Sequence, residues 1–113
     1  MKTIFFLLLT TLSFSQTYEV VAVGDYYNAT KLEGVATISD AKYTVSFSNG
    51  KTVEFDIVSN KNGTIYITDG VMTDWLNVIE KKGKKKGQEY SKIIILNFDI
   101  RRNINTNVLY YCK

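Results

Sequence analysis

The sequence predicts an all-β domain, a mainly antiparallel meander of seven to eight strands closed into a small barrel or sandwich. Three observations carry that expectation. Apolar and polar residues alternate in short runs through most of the chain after residue 15, the period of a strand with one buried face. Tyrosine (8 residues) and β-branched residues are abundant, and these types fit a pleated, half-buried surface. Proline is absent, and the breaks between runs carry glycine and asparagine instead: Asn49-Gly50, Asn62-Gly63, Asp69-Gly70, Gly83 and Gly87.

Ahead of the alternating region, residues 1–15 read as a secretory signal peptide. Lys2 supplies the positive start, Ile4 to Leu12 an apolar stretch broken only by Thr10 and Thr11, and Ser13 and Ser15 the small residues before a cut. The stretch is too short for a membrane span, which takes about 20 apolar residues. The only cysteine is Cys112, so no lipid-bearing cysteine follows the leader. The expected product is a soluble, secreted or periplasmic domain over 16–113, short enough that one core must hold it without an internal disulfide.

Taken in order, the alternating runs lie at 18–24, 32–39, 42–48, 51–58, 64–68, 90–100 and 106–112. The connections are too short for parallel crossovers, so an antiparallel meander follows. The hairpin around Asn49-Gly50 can be read in register. A two-residue turn would set Val45 opposite Glu54 and Tyr43 opposite Asp56, mixing apolar and charged side chains on one face. A loop of Ser48, Asn49 and Gly50, with Gly50 in the left-handed region, pairs Val45 with Val53 and Tyr43 with Phe55. Burial selects that loop. The same parity carries Ile65 and Ile67 onto the apolar face across a turn from Ser59 to Gly63.

Residues 71–82, VMTDWLNVIEKK, fit two patterns. A helical wheel gathers Val71, Met72, Trp75, Leu76, Val78 and Ile79 on one side, with lysines before Gly83 as a stop, giving an α+β alternative with one amphipathic helix. The strand-forming Thr, Trp, Val and Ile, and the glycine turns at both ends, favour an eighth strand.

The side chains narrow the chemistry. With no histidine, imidazole-based triads and histidine-containing zinc sites are excluded, and a single cysteine cannot build a thiolate cluster. Glu54 and Asp56 share a strand face at about 7 Å, a spacing that suits a glycosidase acid/base pair, but this is the solvent side of an amphipathic strand. Asp69 belongs to a turn. No cofactor or metal is expected, and the chain is read as non-catalytic.

The densest feature is the run Lys81, Lys82, Lys84, Lys85 and Lys86, which lacks the spacing of a phosphate-cradling P-loop. Its ammonium groups suit a polyanion such as an acidic glycan or lipopolysaccharide, or the tip of a soluble hairpin. Tyr26 and Tyr27 form a candidate contact loop. Cys112 is expected to close the last strand on the face of Val108 and Tyr110, with an intermolecular disulfide as its functional alternative. Asn28-Ala29-Thr30 and Asn62-Gly63-Thr64 are glycosylation sequons that here read as turn chemistry.

These features imply an exported binding module. Its expected partner is a small apolar ligand enclosed by Tyr43, Phe47, Phe55 and Trp75, or an anionic glycan or lipid head group at the lysines; nucleic acid is not expected. The alternative is a structural subunit joining an envelope protein through a sheet edge or Cys112. In outline alone the meander resembles small barrel-forming binding proteins of the lipocalin type, without a residue motif to carry the likeness.

Overall fold

A computed structural model describes residues 15–25, 27–102 and 107–113. Residues 1–14, on which most of the expected leader falls, and Tyr26 of the expected contact loop lie outside the described residues. Eight antiparallel strands follow in chain order: β1 (Gln16–Gly24), β2 (Ala29–Ile38), β3 (Lys42–Phe47), β4 (Thr52–Lys61), β5 (Thr64–Thr68), β6 (Thr73–Lys85), β7 (Gln88–Asn97) and β8 (Val108–Cys112). Each pairs with its neighbours in sequence, and β8 pairs back onto β1 from Val20↔Cys112 to Gly24↔Leu109, closing a barrel. Closure removes the unpaired backbone groups that an open sheet would present at its edges.

The segment 71–82 resolves as strand. β6 places Leu76 inside, fully buried, and leaves Trp75 and Ile79 outside. Hydrogen bonding explains the outcome: a helix here would leave β5 and β7 without the partner that both use along their length.

The β3–β4 hairpin has the expected register, with Val45↔Val53 and Tyr43↔Phe55. Phe47 N–H donates to the Lys51 carbonyl at 2.9 Å across the Ser48-Asn49-Gly50 loop, and Gly50 has φ 91°. The next hairpin differs from expectation. β4 runs on to Lys61, and Asn62 (φ 52°) and Gly63 (φ 84°) form a two-residue turn in which both residues are left-handed, the geometry that matches strand twist. Ile65 and Ile67 still point inward because the β4–β5 register shifts between Ile57 and Ser59. That bulge expels Val58, which is 59% exposed. The run expected at 90–100 ends as strand at Asn97 and gives way to a 3₁₀ turn over Ile100–Arg102.

The barrel interior is filled by its own rings. Tyr43 stacks on Phe55 at 6.2 Å between centroids and meets the edge of Tyr110 at 6.5 Å, while Phe47 stacks on Tyr110 at 6.3 Å. Val20, Val45, Ile67, Leu76 and Ile94 complete the packing with no exposed surface. Each such side chain contributes roughly 1.5–3 kcal/mol on burial, which is how a short chain holds together without a disulfide. The Tyr43 hydroxyl is buried without a partner in hydrogen-bond geometry. Desolvation, then the neighbouring Tyr110, pushes its pKa well above the ordinary tyrosine value. Trp75 lies on the outer wall, so the group of four aromatics expected to enclose a ligand loses one member, and Tyr110 links Phe47 to the Tyr43–Phe55 stack inside.

A smaller apolar cluster lies outside the wall, where Val21, Ala22, Ile93, Leu109 and Tyr111 are buried with Tyr90 and Ile95 against them. A register shift between Val20 and Ala22 turns both Val21 and Ala22 outward.

Candidate functional site: a cationic two-stranded arm

An antiparallel barrel sorts its connections to two ends. The lower end gathers β1–β2, β3–β4, β5–β6 and β7–β8; the upper end gathers β2–β3, β4–β5 and β6–β7, with Gln16 and Lys113.

The lower end is self-compensated. Asp69 Oδ1 accepts the N–H groups of Val71 and Met72 at 2.9 and 3.0 Å, shaping the β5–β6 turn. Asp74 opens β6, faces inward and is 1% exposed. Its Oδ1 accepts the Asp99 N–H at 2.9 Å and Arg102 Nε at 2.8 Å, and its Oδ2 lies 2.8 Å from Arg102 Nη2. The same Nη2 donates to Asp69 Oδ2 at 2.9 Å. Arg102 therefore ties the connection after β7 to the β5–β6 turn. Arg101 forks onto Asp99, with Nε on Oδ1 and Nη2 on Oδ2, both at 2.9 Å. The Arg101 guanidinium holds the Asp99 carboxyl down to about 2. The backbone N–H groups of Met72 and Val71, then Arg102, hold Asp69 below the usual carboxylate range.

The upper end is built differently. β5 pairs with β6 only up to Thr64↔Asn77, and β8 with β7 only up to Lys92↔Cys112. Beyond those pairs β6 and β7 bond only to each other and form an arm from Lys81 to Ser91. The lysine run, whose composition and flanking glycines suggest a loop, is instead largely strand up to the hairpin turn. Lys81 and Lys82 stand at a bulge between Glu80↔Lys92 and Gly83↔Tyr90, Lys84 and Lys85 are paired strand residues, and Lys86 (φ 50°) and Gly87 (φ 79°) make the turn. Poor strand formers hold strand geometry here because that left-handed turn fixes the register.

The Tyr90 ring lies across Gly83 in the arm, and a Cβ there would force the ring to shift. Tyr90 in turn packs on Tyr111 at 4.9 Å, and the Lys85 ammonium sits 5.4 Å from the Tyr111 ring centre. Lys85 is thereby pinned against the barrel by a cation–π contact. Lys81, Lys82, Lys84 and Lys86 are exposed. The ion pairs among the described residues are made by Lys42, Lys92, Arg101 and Arg102, and by none of the five arm lysines. Glu89 is directly opposite Lys84 in register without closing a pair. Lys82, Lys84 and Lys113 line a groove of about 560 Å³ over Gly83, Tyr90 and Ser91, with Glu89 as the one acidic side chain among its lining residues.

Lys42 shows the contrast within one sheet. Its Nζ lies 2.9 Å from both Glu54 and Asp56, so the carboxylates that suggested an acid/base pair are bridged by an ammonium. The hydrogen bonds that the ammonium donates to those carboxylates, Glu54 first, raise the Lys42 pKa above its ordinary value.

Of the other candidates, Tyr27 is 91% exposed in the β1–β2 turn, where Asp25 Oδ1 accepts its N–H at 2.9 Å and that of Asn28 at 2.7 Å. Cys112 is fully buried in the interior beside Tyr110, and its thiol donates to the Tyr110 carbonyl at 3.4 Å. Burial pushes that thiol up to about 12. A cleft of about 350 Å³ at the upper mouth has Ile38, Ile57 and Ile65 below a rim of Gln16, Ser39, Asp40, Ser59 and Asn60. Among the described residues no three histidine, cysteine, aspartate or glutamate side chains are grouped to hold a metal.

No family model, curated protein or solved structure matches the chain.

Proposed function

We propose that the protein is an exported, non-catalytic binding module that captures polyanions on the β6–β7 arm. The observation that carries this reading is a two-stranded arm bearing five lysines, none of them ion-paired among the described residues. Unpaired ammonium groups concentrated on one element raise the local concentration of anions and speed their capture, at no cost to an existing pair. The exposed arm lysines contribute little to folding, so their clustering on one element supports a role in binding an anionic ligand. The leader over 1–15 supports an extracellular or periplasmic site of action, where acidic glycans and lipid head groups are the polyanions at hand.

Two features favour this over the other expectations. The interior rings pack against one another, which speaks against an enclosed apolar ligand. Cys112 faces inward and the ring of strands is closed below the arm, which speaks against a thiol link and confines free strand edges to the arm itself. The test is retention on immobilised heparin at low salt. Wild-type protein should be retained and a Lys82→Glu/Lys84→Glu/Lys86→Glu variant should flow through; equal elution of the two proteins contradicts the proposal.

A further inference from the structure

The arm continues into an outer wall with a second kind of chemistry. Along β6, Trp75, Asn77, Ile79 and Lys81 alternate onto the outside over roughly 20 Å at the rise of a strand. Across the sheet, Trp75 lies between Tyr66 on β5 and Asn97 on β7. Tyr66 and Ile79 are each 36% exposed and Trp75 is half-buried. Among the described residues, neither the Trp75 indole N–H nor the Tyr66 hydroxyl has a hydrogen-bond partner. Beside them the Asn97 amide donates to Asn77 Oδ1 at 3.4 Å, and the Asn77 amide to Thr64 Oγ1 at 3.1 Å, so a row of amides and a hydroxyl borders the rings. At the arm end, Lys81 and Lys85 flank a depression of about 160 Å³ against Ile79 and Ile95.

We infer that this wall is a linear site for an acidic polysaccharide, with one sugar ring on Tyr66 and Trp75 and its charged groups at Lys81 and the arm. The inference rests on the polyanion reading above and names its substrate class. Aromatic faces accept the C–H face of a sugar ring, and free indole and phenol groups with adjacent amides suit its hydroxyls. Ammonium groups suit carboxylates or sulfates. The track is an outer strand face whose depression beside Ile79 and Lys81 is only about 160 Å³, too small for an acyl chain, which disfavours a lipid. A nucleic acid alternates base and phosphate at every step and calls for interleaved rings and cations. Here they are segregated, with Asn77 and Ile79 between.

Trp75 is the only tryptophan, so its emission reports this site alone. Titration with a heparin-derived hexasaccharide should shift Trp75 emission and quench it, whereas polyphosphate, which offers charge without rings, should bind the arm and leave emission unchanged. Trp75→Ala and, separately, Tyr66→Ala should each weaken hexasaccharide binding by about tenfold and leave polyphosphate binding intact. The wild-type emission change stands even if Trp75→Ala folds poorly. Binding of both ligands with no emission change and no effect of either variant overturns the sugar track and leaves the polyanion reading in place. Tighter binding of single-stranded oligo(dT) with the same quenching reassigns the rings to bases and also overturns it. Wild-type protein that binds neither polyphosphate nor hexasaccharide removes the polyanion reading itself.

Discussion

The two ends of the barrel carry charge in opposite ways. At the lower end every charged group of the cluster has a counter-ion within 2.9 Å: Arg102 between Asp69 and Asp74, Arg101 on Asp99. At the upper end the lysines of the arm have none. The first arrangement is a fastening, in which a buried carboxylate requires its guanidinium and the connection after β7 is fixed in place. The second leaves the charges for solvent or a ligand, and their loss should cost the fold little. Substitutions of comparable charge should therefore act on stability at one end and on binding at the other.

The largest effect is expected at the lower end. Arg102→Ala leaves Asp74 buried without a cation and should destabilise the domain by about 3–5 kcal/mol, measured by urea unfolding. A loss below about 1 kcal/mol would mean that Asp74 is satisfied by water and the two ends do not differ in this respect.

Acid should expose the same fastening. Asp69 and Asp99 have folded pKa values lowered below the ordinary carboxylate value of about 3.9. A depressed carboxylate contributes stability that is present above its unfolded pKa and lost as pH falls through its folded pKa. The melting temperature should then fall as pH is lowered from about 4 to about 2, and less steeply in Arg102→Ala, in which Asp69 has lost its guanidinium. Parallel curves for the two proteins would assign the acid limb to other groups.

Gly50 offers a smaller effect away from both charge clusters. A Cβ at this position meets nothing within 4 Å, so Gly50→Ala isolates the cost of holding φ 91°. It should lower stability by about 1 kcal/mol in chemical denaturation. A neutral result would show that the loop relaxes to another turn and that the register survives without it.

That hairpin was legible in the sequence because one choice of loop length buried Tyr43, Val45, Val53 and Phe55 together and the other buried charge. Segment 71–82 was not decided by its own residues. Its apolar positions satisfy both periods, and only pairing with β5 and β7 separates Leu76, inside, from Trp75, outside. The bulges at Val58 and at Lys81–Lys82 depend on which residue stands across the ladder, a relation between strands that alternation along one strand does not contain. Arg102 and Asp74 are 28 residues apart, and no local pattern marks them as partners. The lysine run was visible as composition, but its strand geometry and the arm's reach beyond β5 and β8 became apparent only with the neighbouring strands in place.

Within the arm, Lys85 and its neighbours can be told apart. Lys85→Gln removes the cation over Tyr111 and should cost about 0.5–1 kcal/mol, while Lys84→Gln should change stability by less than about 0.5 kcal/mol. Equal values from thermal melts would show that the cation–π contact is not formed in solution.

The central claim, that the upper lysines serve binding and not folding, is tested most directly by measuring heparin affinity against salt for wild type and the Lys82→Glu/Lys84→Glu/Lys86→Glu variant, with melting temperatures from the same samples. The account predicts a steep fall of wild-type affinity with salt as several ammonium groups release counterions together, loss of binding in the variant, and nearly equal melting temperatures. Salt-insensitive wild-type binding, or a variant that loses stability in step with affinity, would contradict it.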